Sequence, residues 1–317
     1  LLGEIMRIAI FGAGAVGSYV GGKLLQSGEH DIFMIARGNH LKALNSSGLK
    51  VTSINGNFKI ESLYATDTPS QIGPVDYVIL TVKSWMVAEA TKSMLPLIGK
   101  NTVVIPLQNG IEAPSQISSI IDPKQVLGGM CRIFSSIPEP GHINHFGSEP
   151  LIVIGELSGE KTTRVREIEI ALNNSHLACT ISPDITASMW EKLIFVGPVG
   201  AVGSVTRAPL GEILQLKQSR ELLQNLMEEI YEVGLALGVQ LNQNVVHDSI
   251  KYAEQSPFEA TSSMQRDIID GNRSELESQV GVVVRLGTKA KIATPAHEYI
   301  YSLLLPIETK ARSKIEL

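Results

Sequence analysis

The segment RIAIFGAGAVG, residues 7–17, limits the fold more than any other part of the chain. A short apolar run flows into G-x-G-x-x-G at Gly12, Gly14 and Gly17, and the residues over 15–28 then repeat at helical spacing. Strand, tight glycine turn and helix, in that order, make the opening unit of a doubly wound α/β sheet. In such a turn the first glycine permits the reversal, and the second lets a pyrophosphate approach the backbone. The third lets helix and strand pack closely, with the anion held at the helix N-terminus. Gly12, Gly14 and Gly17, with Ala15 and Val16 between them, are the candidate cofactor residues. The alternative is a glycine-rich turn with no ligand.

The same alternation continues to about residue 183. DIFMIA, VDYVILTV and TVVIPL read as strands, with a helix over 84–95 between the last two. QVLGGMCRIFSSI, HINHF and PLIVIGE are strand-like, LSGEKTT is a polar loop, 163–176 is helical and ACTISP is a final strand. Short, nearly continuous apolar strands separated by helices indicate a parallel sheet covered on both faces. Beyond Pro183 the pattern is helical. Residues 211–237 form one amphipathic helix or a pair, and Thr294-Pro295 caps and opens another. The reading is a Rossmann-type doubly wound domain over 1–183 followed by an all-α domain over 184–317.

With 44% hydrophobic and 19% charged residues and a net charge of -5, the chain is of ordinary globular composition. Nothing in that charge invites nucleic acid or an anionic membrane as partner. The apolar run 193–206 is shorter than a membrane span needs and is broken by Gly197, Pro198, Gly200 and Gly203. Two cysteines, Cys131 and Cys179, are too few for a disulfide framework and suit a reducing cytoplasm. The N-terminus does not read as a secretory signal. Met6 reads as a native start, with residues 1–5 an upstream extension. Amphipathic helices do not say whether they meet their own core or a neighbour, so a homodimer stays open.

The second strand ends at Arg37, where an NAD-binding chain would place a carboxylate, and Asn39, His40 and Lys42 follow it. A guanidinium grips a 2′-phosphate that a carboxylate would repel, so the expected cofactor is NADPH. A solvated loop arginine is the alternative. Lys83 and Asn109 lie at the carboxyl ends of the next strands, where ligands bind in open parallel sheets. His142 and His145, at strand spacing, read as a hairpin, not a metal pair. Lys192 stands at the head of MWEKLIFVGPVGAVGSV, residues 189–205, an apolar core helix that Gly197-Pro198 should bend. A lysine there reaches solvent or faces a cleft, since burying an unpaired ammonium is costly.

Several motifs taken together resemble the ketopantoate reductase (2-dehydropantoate 2-reductase) family. They are IAIFGAGAVG, TVKSW around Lys83, QNG around Asn109, WEKL around Lys192, APLGE at 208–212, and SSMQRD at 262–267 with Glu275 downstream. The likeness runs in order along essentially the whole chain. It implies a Rossmann domain followed by a helical domain of the 6-phosphogluconate dehydrogenase type, NADPH as cofactor, and reduction of a small-molecule 2-oxo acid in the cleft between them. On this resemblance Lys192 is the general acid and Glu275 the second catalytic residue. Arg37, Lys83 and Asn109 become cofactor contacts, and Asn109, Lys192 and Ser263 substrate contacts. Local alternatives are a capping box at Ser274–Glu277 and another cap at Ser262–Gln265. The chain departs from the family at Val196, Gly200 and Ala260, which stand where it has asparagines. Fewer amide donors should change recognition of the substrate without affecting hydride chemistry. The expected activity is NADPH-dependent reduction of ketopantoate to pantoate, a step of pantothenate biosynthesis. A paralogue reducing another 2-oxo acid, a hydroxyacid dehydrogenase running oxidatively and a non-catalytic NADP-binding sensor are the alternatives.

Overall fold

The computed structural model describes residues 4–313. Contacts divide the chain into two compact units. The first runs through Gln108 and resumes over Glu112–Ile185, and the second comprises Asn109–Ile111 with the chain from Thr186 onward.

In the first unit the strands are β1 (Arg7–Phe11), β2 (Asp31–Ile35), β3 (Leu49–Ser53), β4 (Phe58–Ile60), β5 (Tyr64–Thr66), β6 (Val75–Leu80) and β7 (Ile98–Pro106). They are followed by β8 (Leu127–Arg132), β9 (Ser135–Glu139), β10 (His142–His145), β11 (Leu151–Glu156) and β12 (Ala178–Ile181). The helices are α1 (Ala15–Ser27), α2 (Gly38–Ser47), α3 (Val87–Ser93), α4 (Ala113–Ser118) and α5 (Thr163–Asn174). The main sheet is wholly parallel in the order β5-β2-β1-β6-β7, with the chain reversing direction of travel at β1. Ligands bind beyond the carboxyl ends of strands at such a switch point. Its central strands are buried on both faces, as their unbroken apolar sequences require.

Two small sheets, β4-β3-β10-β9 and β12-β11-β8, complete the unit. HINH is the β10 arm of a hairpin with β9, as its histidine spacing indicates. QVLGGMCRIFSSI forms two strands, and the helix expected over 84–95 is a 3-10 turn at Ser84–Met86 running into α3. The helix stops at Ser93, where Leu95-Pro96 starts a separate turn.

The second unit is helical: α6 (Ile185–Thr206), α7 (Leu210–Gln215), α8 (Lys217–Ala236), α9 (Val245–Gln255), α10 (Ser263–Ile269), α11 (Val282–Ala290) and α12 (Pro295–Ser313). A π-helical turn, Glu277–Gly281, leads into α11. The 211–237 segment is a pair, α7 and α8. Pro198 lies inside a continuous α6, so the apolar run goes through the proline without ending there. Trp190, Leu193, Ile194, Val199 and Val202 of α6 pack into the core of this unit with Ile230 of α8 and Val280.

Candidate functional site

The glycine turn shows three different reasons for its three glycines. Gly12 has φ 95°, and a Cβ there would lie 2.6 Å from Val82 Cγ1 and 2.9 Å from the Val82 nitrogen, so conformation and space both demand glycine. At Gly17 a Cβ would come within 2.5 Å of the Gly12 carbonyl oxygen, and closer still to Thr81 Oγ1. Gly14 is different. It has φ -80° and ψ -154°, and the nearest atom to an added Cβ is the Gly12 oxygen at 3.8 Å. Nothing within the chain crowds a Cβ at position 14, which leaves open the space beside its backbone. Gly14 is also the N-cap of α1, where no side chain caps the helix and the first turn has no acid. The first-turn N–H groups, left without a side-chain cap, and the positive end of the dipole therefore suit a phosphate.

Side chains hold this turn in shape. Thr81 Oγ1, just past β6, donates to the Gly12 carbonyl at 2.8 Å, and the Gly12 and Ala13 N–H groups donate to the Ile35 carbonyl at 3.1 and 2.8 Å. Ser18 Oγ donates to the Ala13 carbonyl at 2.9 Å and contacts His40 Nε2 at 3.1 Å. The Gly141 N–H donates to His40 Nδ1 at 3.1 Å. That bond makes Nδ1 the acceptor and assigns the proton to Nε2, which donates to Ser18. Burial lowers the His40 pKa, and protonation at Nδ1 would also break the Gly141 bond. Neither Thr81 nor His40 is part of the glycine motif, although His40 lies beside Arg37 in sequence.

Arg37 is exposed at the end of β2 as the N-cap of α2, whose first turn holds no acid. Parallel pairing of Phe11 with Ile35 brings this strand end beside the glycine turn. Lys83 is exposed at the end of β6, its Nζ 5.7 Å from the centre of the Trp85 ring.

The remaining site candidates fall in the helical unit. Lys192, on the second turn of α6, is buried at 6% exposure. Glu275 is buried at 4%, and its Oε2 accepts from Asn109 Nδ2 at 2.9 Å and from Gln279 Nε2 at 3.2 Å. Asn109 and Glu275, 166 positions apart, are thus in direct contact. Gln279 was not a candidate from the sequence, and no motif marks it.

The capping box that Ser274–Glu277 offered as the alternative to a functional Glu275 does not form. Ser274 Oγ takes the Leu276 N–H but donates to buried Glu308 of α12 at 2.6 Å, and the Ser274 N–H also donates to Glu308. Glu277 instead accepts from Arg285 and Tyr301. Glu275 therefore follows a residue anchored from another helix. The Ser262–Gln265 cap is complete, with the side chain of each residue bonding the backbone of the other, and Ser263 is the first residue of α10.

Position 200 abuts this cap: a Cβ on Gly200 would lie 2.8 Å from Met264 Cε, 3.0 Å from Ser262 Oγ and 3.6 Å from Gln279 Oε1. An asparagine has no room there unless Met264 moves. Val196 and Ala260 are half-buried. Among the described residues no helix is long and apolar enough to cross a membrane.

The family model described as "Ketopantoate reductase PanE/ApbA" matches residues 8–159, and its C-terminal companion, "Ketopantoate reductase PanE/ApbA C terminal", matches 184–308. An uncharacterized oxidoreductase, YkpB, of Bacillus subtilis is 30% identical over 96% of this chain and 100% of its own length. A 2-dehydropantoate 2-reductase of Mesorhizobium japonicum is 28% identical, covering 94% of this chain and 97% of its own. The crystal structure of a PanE/ApbA family ketopantoate reductase from Ralstonia eutropha superposes with a TM-score of 0.89 at 29% identity, over 97% of this chain and 100% of that one.

Proposed function

Given that the chain belongs to the ketopantoate reductase family and is an oxidoreductase, we propose that it reduces a small 2-oxo acid with NADPH, ketopantoate to pantoate being the leading reaction. The Asn109–Glu275 hydrogen bond at 2.9 Å carries this reading, because it joins a polar residue following β7 to a buried carboxylate 166 positions away.

Gly12, Gly14 and Gly17, with the N–H groups of Ala15 and Val16, would hold the pyrophosphate. Arg37 would take the 2′-phosphate, which favours NADPH over NADH, and Lys83 lies within the same set of strand ends. NADPH, when bound, supplies a hydride with its electron pair to C2 of the substrate.

Lys192 stabilises the growing negative charge on the C2 oxygen and gives it a proton, leaving a neutral amine that recovers a proton from water. Glu275 Oε2 already accepts from Asn109 and Gln279. An acceptor of this kind suits a hydroxyl of the substrate, while the Ser263 hydroxyl and Asn109 serve as further polar contacts. Cys131 and Cys179 are buried thiols outside any disulfide, in keeping with a reducing setting.

The test is loss of NADPH absorbance with ketopantoate and with a panel of other 2-oxo acids. Turnover on ketopantoate supports the assignment. Turnover confined to another acid overturns the substrate, and NADPH binding with no turnover on any acid overturns the enzyme reading.

A further inference from the structure

We propose that Gln279 is a positioning residue for this reaction, fixing the Glu275 carboxylate through its side-chain amide. The proposal rests on the preceding reading that Glu275 is catalytic. Gln279 is buried at 2% exposure, and a buried amide is costly to leave unbonded. Its side-chain amide and its backbone N–H both turn to Glu275: the side chain donates to Glu275 Oε2 at 3.2 Å and the backbone N–H to the Glu275 carbonyl at 3.0 Å. Asn109 Nδ2 reaches the same carboxylate oxygen at 2.9 Å. Two amides on one oxygen fix the plane of the carboxylate, which otherwise turns about its terminal torsion.

The backbone is built around this contact. Gln279 sits at the middle of the π-helical turn Glu277–Gly281, where the Val282 N–H reaches back to the Glu277 carbonyl. Such bulges are rare and collect at functional sites. The facing helix makes room with two glycines one turn apart. A Cβ on Gly197 would lie 3.0 Å from the Gln279 carbonyl oxygen, and one on Gly200 would lie 3.6 Å from Gln279 Oε1. Both glycines share α6 with Lys192, so the helix carrying the proposed acid is shaped to receive the residue that holds Glu275. Of the flanking polar residues, Glu277 accepts from Arg285 and Tyr301, and Ser278 Oγ donates to the Glu275 carbonyl.

A cycle of Gln279→Met, Glu275→Gln and the double variant tests this, since a residue acting through another loses its effect when that other is changed. Gln279→Met keeps length and volume and removes the donor. With saturating NADPH, Gln279→Met should lower kcat about tenfold or more and leave the KM for NADPH unchanged. In the Glu275→Gln background, with residual rates followed in single turnovers, it should cost less than about twofold. Multiplying penalties, or no penalty in the parent enzyme, would overturn the proposal. A parent enzyme that turns over no 2-oxo acid would overturn the catalytic reading, and this inference with it. If Gln279→Met does not melt cooperatively, Gln279→Asn, which withdraws the amide by one methylene, takes its place under the same expectations.

Discussion

Alanine at Gly14 and at Gly17 should break the same motif in opposite ways. At Gly17 the added Cβ overlaps the Gly12 carbonyl by about 1 Å, measured against the 3.4 Å where ordinary contact begins. The Gly12 oxygen is backbone and cannot rotate away, so α1 must lift from β1, and the Thr81 to Gly12 bond of 2.8 Å is strained with it. Overpacking costs about 1–3 kcal/mol and the hydrogen bond about 1 kcal/mol, while alanine regains roughly 1 kcal/mol of helix propensity. The net loss of stability is about 1–3 kcal/mol. At Gly14 the same methyl meets nothing nearer than 3.8 Å, and stability should stay within about 1 kcal/mol of the parent. It would, however, occupy the space through which the pyrophosphate approaches.

The assay is denaturant unfolding of parent and variants with and without NADPH. At a concentration of about 100 Kd the ligand adds roughly 2.7 kcal/mol to the parent, and a tenfold weaker site leaves about 1.4 kcal/mol. Gly14→Ala should therefore match the parent without ligand and lose at least half of the protection with it, while Gly17→Ala should already be weaker without ligand. Full NADPH protection of Gly14→Ala, or an undiminished Gly17→Ala, would refute the division of roles.

Lys192→Ala should keep NADPH affinity and lose at least about 100-fold in turnover, by titration calorimetry and steady-state kinetics; unchanged turnover would remove Lys192 from the mechanism. Gly200→Asn should lower the melting temperature because its Cβ meets Met264 Cε at 2.8 Å, and combined with Met264→Ala it should cost less than the two changes summed. His40 and His145 both have pKa values lowered by burial. The fold keeps them neutral while the unfolded chain takes up protons near pH 6.5, so stability is full above about pH 6.5 and falls as pH drops toward the folded values. Unfolding measured from about pH 7.5 to 5.5 should show this decline, with a shallower slope in His40→Leu. Burial pushes the Cys179 thiol up to about 12, so native protein should resist a thiol reagent that reacts readily once it is unfolded.

What the sequence disclosed divides by the range of the forces involved. The glycine turn is legible because its constraints are steric and local, with Gly12 at φ 95° and Gly17 against the Gly12 oxygen. The Ser262–Gln265 cap is legible for the same reason, as both of its bonds close within four residues. Ser274–Glu277 looks similar in sequence yet fails, because Glu308, 34 positions away, takes Ser274 at 2.6 Å. No local pattern announces that competitor. Asn109 is legible as a polar residue at a strand end, but its pairing with Glu275, 166 positions away, lies beyond local reading.

The π-helical turn is the least legible feature, since one extra residue in a turn leaves the apolar spacing of Leu276, Val280 and Val283 intact. Its trace appears instead on the partner helix. The uncharged stretch after Lys192 meets the demand for a core with Leu193, Ile194, Val199 and Val202, so its glycines at 197 and 200 are not there for burial. They lie where a Cβ would approach the backbone and the side chain of Gln279. Apolarity that seemed only to isolate the lysine thus contains a second instruction, a concave stretch of α6 into which the turn bearing Gln279 fits, and the absence of larger side chains on one helix is the sequence signal for the widened turn on another.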